Sequence, residues 1–221
     1  MPLASVIAPR TVSIAQVPAH GLTLPLMEHF YTLQGEGANA GRAAYFVRLG
    51  GCDVGCHWCD VKESWSAEDH PLRAVEDIVT LAAADGAAGA PVVVTGGEPA
   101  LYNLVPLTTQ LAAAGHPRWV ETSGAYPLSG TWDWVCLSPK KFKPPHESVY
   151  AQAHELKVVV FHESDLLWAE AHAARVGPSC RLFLQPEWSR AARILPLLIS
   201  YVKQHPRWQL SLQTHKYLDI P

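Results

Sequence analysis

The sequence predicts an α/β fold built on a parallel sheet, on three observations. β-rich runs alternate with segments of helical spacing, the connections between them are short, and glycine or polar clusters recur just after the β-rich runs. The third observation bears on function, because parallel α/β folds gather their sites at the carboxyl ends of strands.

Taken in order, residues 1–25 carry four prolines (Pro2, Pro9, Pro18, Pro25) and no clear periodicity, and read as an irregular leader to a single domain over 26–221. From Leu26 a loosely alternating strand reaches Leu33 and enters Gln34-Gly-Glu-Gly37. Tyr45 to Leu49 is a second strand, leading through Gly50-Gly51 into a run of cysteines. Leu72 to Ala84 places apolar residues at 72, 75, 78, 79 and 82, the spacing of a helix. Pro91 to Thr95 is a buried strand ending in Gly96-Gly97, and Leu104 to Ala114 is a helix stopped by Gly115. Strands follow over 119–122, 132–137, 156–161, 181–184 and 208–212. Between them, Ser164-Asp165 caps one helix and Ala191 to Lys203 forms another despite Pro196. Setting aside the loosely alternating first run, this makes about seven strands, too few for a complete eightfold barrel of about 250 residues.

Composition narrows the function classes. The chain has 221 residues, 48% hydrophobic and 17% charged, enough apolar content to fold around one sizeable core. A formal net charge of -3 argues against a broad electrostatic footprint for nucleic acid. The sequence shows neither an apolar run of about 18 residues to span a bilayer nor a signal-peptide core, so a cytoplasmic protein is expected.

Five cysteines are present, and their placement says more than their number. Cys52, Cys56 and Cys59 fall together as Cys-x3-Cys-x2-Cys, whereas Cys136 and Cys180 stand apart in apolar runs. A disulfide framework would spread pairs along a short secreted chain, so the cluster points to a metal or redox centre in a reducing compartment. Thiolates suit zinc or iron–sulfur. A structural zinc site wants four protein ligands, and His57, next to Cys56, is poorly placed to be the fourth. Three thiolates on a cubane would leave one iron open to a substrate or cofactor.

The spacing is that of the radical S-adenosylmethionine (SAM) superfamily, and so is Thr95-Gly-Gly-Glu-Pro99 after a strand. Further motifs follow in order: Phe30-Tyr-Thr-Leu-Gln-Gly-Glu-Gly37, Arg48, Glu121-Thr-Ser-Gly124, Leu137-Ser-Pro-Lys140, Leu184-Gln-Pro-Glu187 and the terminal Gln213-Thr-His-Lys-Tyr-Leu-Asp-Ile-Pro221. From about residue 26 onward the set closely resembles the 7-carboxy-7-deazaguanine synthase family of queuosine and 7-deazapurine biosynthesis. The resemblance implies an abbreviated TIM-type (β/α) barrel of roughly six strands and three helices, smaller than a full eightfold barrel. It also implies a homodimer, and a carbon–nitrogen lyase that converts 6-carboxy-5,6,7,8-tetrahydropterin to 7-carboxy-7-deazaguanine. Ammonia is lost after a 5′-deoxyadenosyl radical takes the C6 hydrogen, and flavodoxin or ferredoxin supplies the electron.

Residue roles follow from the same resemblance. Cys52, Cys56 and Cys59 would hold a [4Fe-4S] cluster. Gly97, Glu98, Ser138, Pro139, Lys140, Gln185, Pro186, Glu187 and Trp188 would line the SAM pocket, with glycine in the turn because a Cβ would obstruct the close approach of SAM. Leu33, Gln34, Gly35, Glu36, Arg48, Thr95, His215 and Pro221 would meet the pterin. A carboxylate such as Glu36 can accept two N–H groups from an aminopyrimidine edge, and the planar fork of Arg48 suits the substrate carboxylate. The terminal carboxylate of Pro221 is expected to reach the substrate, and Trp58 and Trp65 to shield the cluster.

One departure concerns Mg²⁺. Family members often carry Thr or Ser two residues after the third cysteine as an oxygen ligand, where this chain has Val61. Lys62 or another nearby cation is expected to offset the substrate's charge instead. Two alternatives stand beside the synthase: a glycyl-radical-type activating enzyme, which shares the cysteine spacing, and a non-catalytic zinc or iron–sulfur protein.

Overall fold

The computed structural model describes residues 17–84 and 89–221. Most of the stretch read as a leader, residues 1–16, lies outside the described residues. Its last residues do not behave as one: β1 (Thr23–Leu33) begins inside it, because Thr23, Leu24 and Pro25 pair with the edge strand β3 (Leu72–Ala74). Leu24 is fully buried there, so burial extends the strand back past Pro25.

The remaining strands are β2 (Ala43–Leu49), β4 (Val92–Gly96), β5 (Arg118–Thr122), β6 (Trp134–Leu137), β7 (Glu155–Val160), β8 (Arg181–Pro186) and β9 (Trp208–Leu210). They form one nine-stranded sheet, ordered β3-β1-β2-β4-β5-β6-β7-β8-β9. From β2 to β9 every neighbour is parallel, and β1 and β3 are joined antiparallel at one edge. The expected parallel α/β architecture is present, but nine strands replace the roughly six or seven expected. The excess includes β3: its three residues also satisfy the helical spacing of the segment that follows, so the helix α1 starts only at Val75 and runs to Ala84.

Helices α2 (Val105–Ala113), α4 (Asp165–Ala173) and α5 (Ala191–Gln204) match the helical segments of the sequence. Two short ones, α3 (Glu147–Tyr150) and α6 (Thr214–Leu218), carry too few residues to show a period.

Alternation along the strands separates core from site. Tyr45, Val47 and Leu49 of β2 and Val92 and Val94 of β4 pack with Ile78 of α1 and Leu107 and Leu111 of α2. Leu156, Val158 and Val160 of β7 and Leu182 and Leu184 of β8 pack with Leu166 of α4 and Ile194 and Leu198 of α5. The intervening residues point to the opposite face. There Phe46, Val93 and Trp119 form a small cluster, and beyond it Arg48, Thr95, Glu121, Lys157 and Gln185 reach a cavity. Among the described residues no helix is long and apolar enough to cross a membrane.

Candidate active site

The cavity has a volume of about 660 Å³, within the range of small-molecule sites. All three clustered cysteines line it, together with Trp58, Val61 and Trp65. All five cysteines are free thiols. The cysteine loop is tied down at its entrance: the Gly51 N–H donates to the Ser64 carbonyl at 2.7 Å and the Cys52 N–H to the Trp65 carbonyl at 3.0 Å. Burial pushes the Cys56 thiol up to about 11 and raises that of Cys52. His57 lies edge-on to Phe142 and Phe161 at 5.4 and 5.5 Å, held among aromatic rings. Among the described residues no group of three or more His, Cys, Asp or Glu gathers closely enough to hold a single metal ion. By the chemistry of the donor set, three soft thiols lining one cavity without a fourth soft ligand suit iron–sulfur ligation.

The Gly-Gly-Glu-Pro turn packs directly on this loop. The Gly97 N–H donates to the Leu49 carbonyl and the Glu98 N–H to the Gly51 carbonyl, each at 2.8 Å. A Cβ on Gly97 would lie 2.1 Å from the Gly51 oxygen. The protein's own backbone thus requires glycine at this position, which also lines the cavity. The Glu98 side chain is buried and accepts from the Ala100 N–H (2.9 Å), the Thr122 hydroxyl (2.5 Å) and the Ser123 N–H (2.8 Å), as well as from the Ser123 hydroxyl. Its carboxylate braces two loops.

Of the other residues expected around SAM, Ser138, Lys140, Gln185, Pro186, Glu187 and Trp188 line the cavity. Pro139 does not. It faces a neighbouring pocket of about 260 Å³ bounded by Trp58, Phe142, Phe161 and Trp168; Lys140 borders both, its ammonium folded back onto the Ser138 carbonyl (2.7 Å) and hydroxyl (2.6 Å).

The residues expected to meet the pterin, Leu33, Gln34, Gly35, Glu36, Arg48, Thr95, His215 and Pro221, all line the main cavity. Arg48 already has a partner: its Nε donates to Glu28 across the β1–β2 pair at 2.5 Å. Glu36 bonds the ammonium of Lys157 through Oε2 and the Gln213 amide through Oε1 at 2.9 Å. Burial alone would raise the Glu36 carboxyl, but Lys157 overrides it and holds it down at about 2. Lys157 also bonds Glu121 at 3.2 Å, whose other oxygen accepts from the Gln34 amide at 2.8 Å.

Sequence reasoning missed Lys157 altogether, and it quoted Glu121 and Gln213 inside motifs without assigning them to the site. The signal for Lys157 was present: a lysine alternating with Leu156 and Val158 in an apolar strand must find buried partners. Asp60 was missed as well. It receives the Lys216 ammonium at 2.8 Å and the Gln213 amide at 3.4 Å. Lys62, expected as a compensating cation, instead stands over the Trp65 ring at 5.9 Å and is absent from the cavity wall.

No protein-family model matches the chain. Individual proteins do. A 7-carboxy-7-deazaguanine synthase of Flavobacterium psychrophilum is 53% identical over 91% of this chain and 94% of its own. One from Escherichia coli is 34% identical over 89% of this chain and 98% of its own. The crystal structure of QueE from Escherichia coli superimposes with a TM-score of 0.79 at 30% identity, covering 88% of this chain and 96% of the other. The chain belongs to the 7-carboxy-7-deazaguanine synthase family. That membership supports the synthase reading over the glycyl-radical-activating and zinc-scaffold alternatives.

Proposed function

We propose that this chain is a radical SAM lyase that contracts 6-carboxy-5,6,7,8-tetrahydropterin to 7-carboxy-7-deazaguanine with loss of ammonia. The observation that carries the reading is the meeting, in one cavity of a chain of this family, of three free thiols and an ion cluster suited to a pterin edge. When bound, a [4Fe-4S] cluster with SAM on its fourth iron supplies the reductive cleavage that starts the hydrogen abstraction, and SAM is regenerated.

Cys52, Cys56 and Cys59 are the residues to hold that cluster, as thiolates once iron displaces their protons. With its N–H used internally, Gly97 has its carbonyl to offer the SAM ammonium, and Ser138, Lys140 and residues 185–188 bound the rest of that pocket. Glu36 accepts from the aminopyrimidine edge of the pterin, Gln34 and Thr95 orient it, and Arg48 meets its carboxylate while braced by Glu28. His215 and Pro221 close the far wall.

Lys216 takes the compensating part first expected of Lys62, and Mg²⁺ is dispensable, because Val61 has no ligand oxygen and Asp60 is already engaged. Full turnover in chelator without added magnesium is expected, and a steep magnesium requirement would overturn this point. We also place the chain in the cytoplasm as a homodimer fed by flavodoxin or ferredoxin, and read residues 26–221 as one domain whose sheet curls into the family's trimmed barrel.

The test is an anaerobic assay with reconstituted cluster, SAM, dithionite and 6-carboxytetrahydropterin, with the product read by mass spectrometry. Carboxydeazaguanine that vanishes in Cys56→Ala is expected. SAM cleavage without that product would keep the radical chemistry and discard the substrate.

A further inference from the structure

Lys157 is only 4% exposed, and its ammonium lies between the carboxylates of Glu36 and Glu121, which come from the loop after β1 and from β5. Each carboxylate's second oxygen is held by an amide, Gln213 on Glu36 and Gln34 on Glu121. Glu155, Cys136, Lys140 and His215 also lie near enough to act electrostatically on Lys157 or to be acted on by it. An ion trio centred on a buried lysine is a poor way to stabilise a fold, since apolar side chains of similar volume do as well or better.

Its chemistry suits recognition instead. Two carboxylates in a dry site repel, and without a cation between them one takes up a proton and turns from acceptor into donor. A lysine's compact charge on a flexible stem can serve both at once.

We propose that Lys157 is a positioning residue, which bridges Glu36 and Glu121 so that both stand ready as acceptors for the N–H groups of the substrate's aminopyrimidine edge. This rests on the substrate reading given above. It adds a residue acting through the carboxylates, and a reason for placing a lysine in an apolar strand.

The test uses the reconstituted, SAM-loaded protein. Calorimetry with 6-carboxypterin, which keeps the ring edge and has no C6 hydrogen to lose, reads binding, and steady-state turnover reads KM and kcat. Lys157→Met is expected to raise KM and weaken 6-carboxypterin binding about ten- to a hundredfold, the worth of charge-assisted hydrogen bonds, with kcat little changed. Relative to the unsubstituted protein, the variant's binding should recover as pH rises from 5 to 8, because the shared proton must leave before both carboxylates accept. Lys157→Arg keeps the charge and should remove that pH-dependent difference.

Should Lys157→Met fail to fold, Lys157→Met/Glu121→Gln removes cation and anion together and should bind weakly with the pH dependence of the unsubstituted protein, Glu36 having lost that like-charged neighbour. A folded Lys157→Met protein with unchanged KM and the pH dependence of the unsubstituted protein would overturn the proposal, as would a double variant with unchanged binding. If the unsubstituted protein itself does not bind 6-carboxypterin, the substrate reading falls and takes the proposal with it.

Discussion

Replacing Gly97 by alanine tests how the SAM turn and the cysteine loop are held together. The added Cβ would sit 2.1 Å from the Gly51 oxygen and 2.9 Å from the Ser64 oxygen, where ordinary contact begins at 3.4 Å. Both are backbone atoms, so no side chain can rotate away, and the two segments must part by about 1 Å or more. That movement breaks the hydrogen bonds from the Gly97 N–H to Leu49 and from the Glu98 N–H to Gly51. Two such bonds are worth about 1 kcal/mol each, and overpacking adds about 1–3, for a loss of about 3–5 kcal/mol. Urea unfolding followed by circular dichroism would report this as a midpoint about 1–2 M lower. The control is Gly55→Ala inside the cysteine loop, where φ is +75° and the added Cβ meets open space. It should cost only the left-handed backbone penalty of about 1–2 kcal/mol. Equal midpoints for the two variants would refute the argument that Gly97 is required by backbone contact.

Two further outcomes follow from buried groups. Glu98→Gln would turn an amide donor toward the Thr122 and Ser123 hydroxyls and N–H that now donate to the carboxylate, and should cost about 2–4 kcal/mol in the same urea experiment. Beside His172, Arg175 donates to the Tyr150 hydroxyl at 2.8 Å, and that hydroxyl shares a hydrogen bond with His172 Nδ1 at 2.6 Å. Burial, aided by Arg175, lowers the His172 imidazole to about 4 from an ordinary 6.5. The unfolded chain then binds the proton more tightly, so this stability is complete above pH 6.5 and is lost as pH falls toward 4. The loss is about 3 kcal/mol, read as the difference between unsubstituted protein and His172→Gln in urea unfolding across that window.

The parts of the site written in strand periodicity were legible. Arg48, Thr95 and Gln185 sit at alternate positions near strand ends, and the fold turns them all to one face. What sequence could not show is who their partners are. The bond from Lys157 to Glu36 spans 121 positions and that from Gln213 to Glu36 spans 177, so each is a consequence of tertiary closure and of no local pattern. Glu98 lines the cavity in which its motif was expected, but that its side chain braces Thr122 and Ser123 is written in no local pattern. Strand β3 hid inside a helical spacing because three residues satisfy either period.

The sheet is unevenly stitched. β7 and β8 are joined through six residue pairs, whereas β6 and β7 meet through two, Cys136 with Glu155 and Leu137 with Leu156. The two large apolar clusters fall mainly on opposite sides of that narrow join. The cavity straddles it, with the cysteines and Arg48 on one side and Lys157, Gln185 and Gln213 on the other. Whatever fills the cavity therefore acts as a crossbeam between two halves that the backbone fastens only lightly. Side-chain bonds already span that line, from Lys157 and Gln213 to Glu36 and from Lys216 to Asp60, and an occupant would add to the same set of ties.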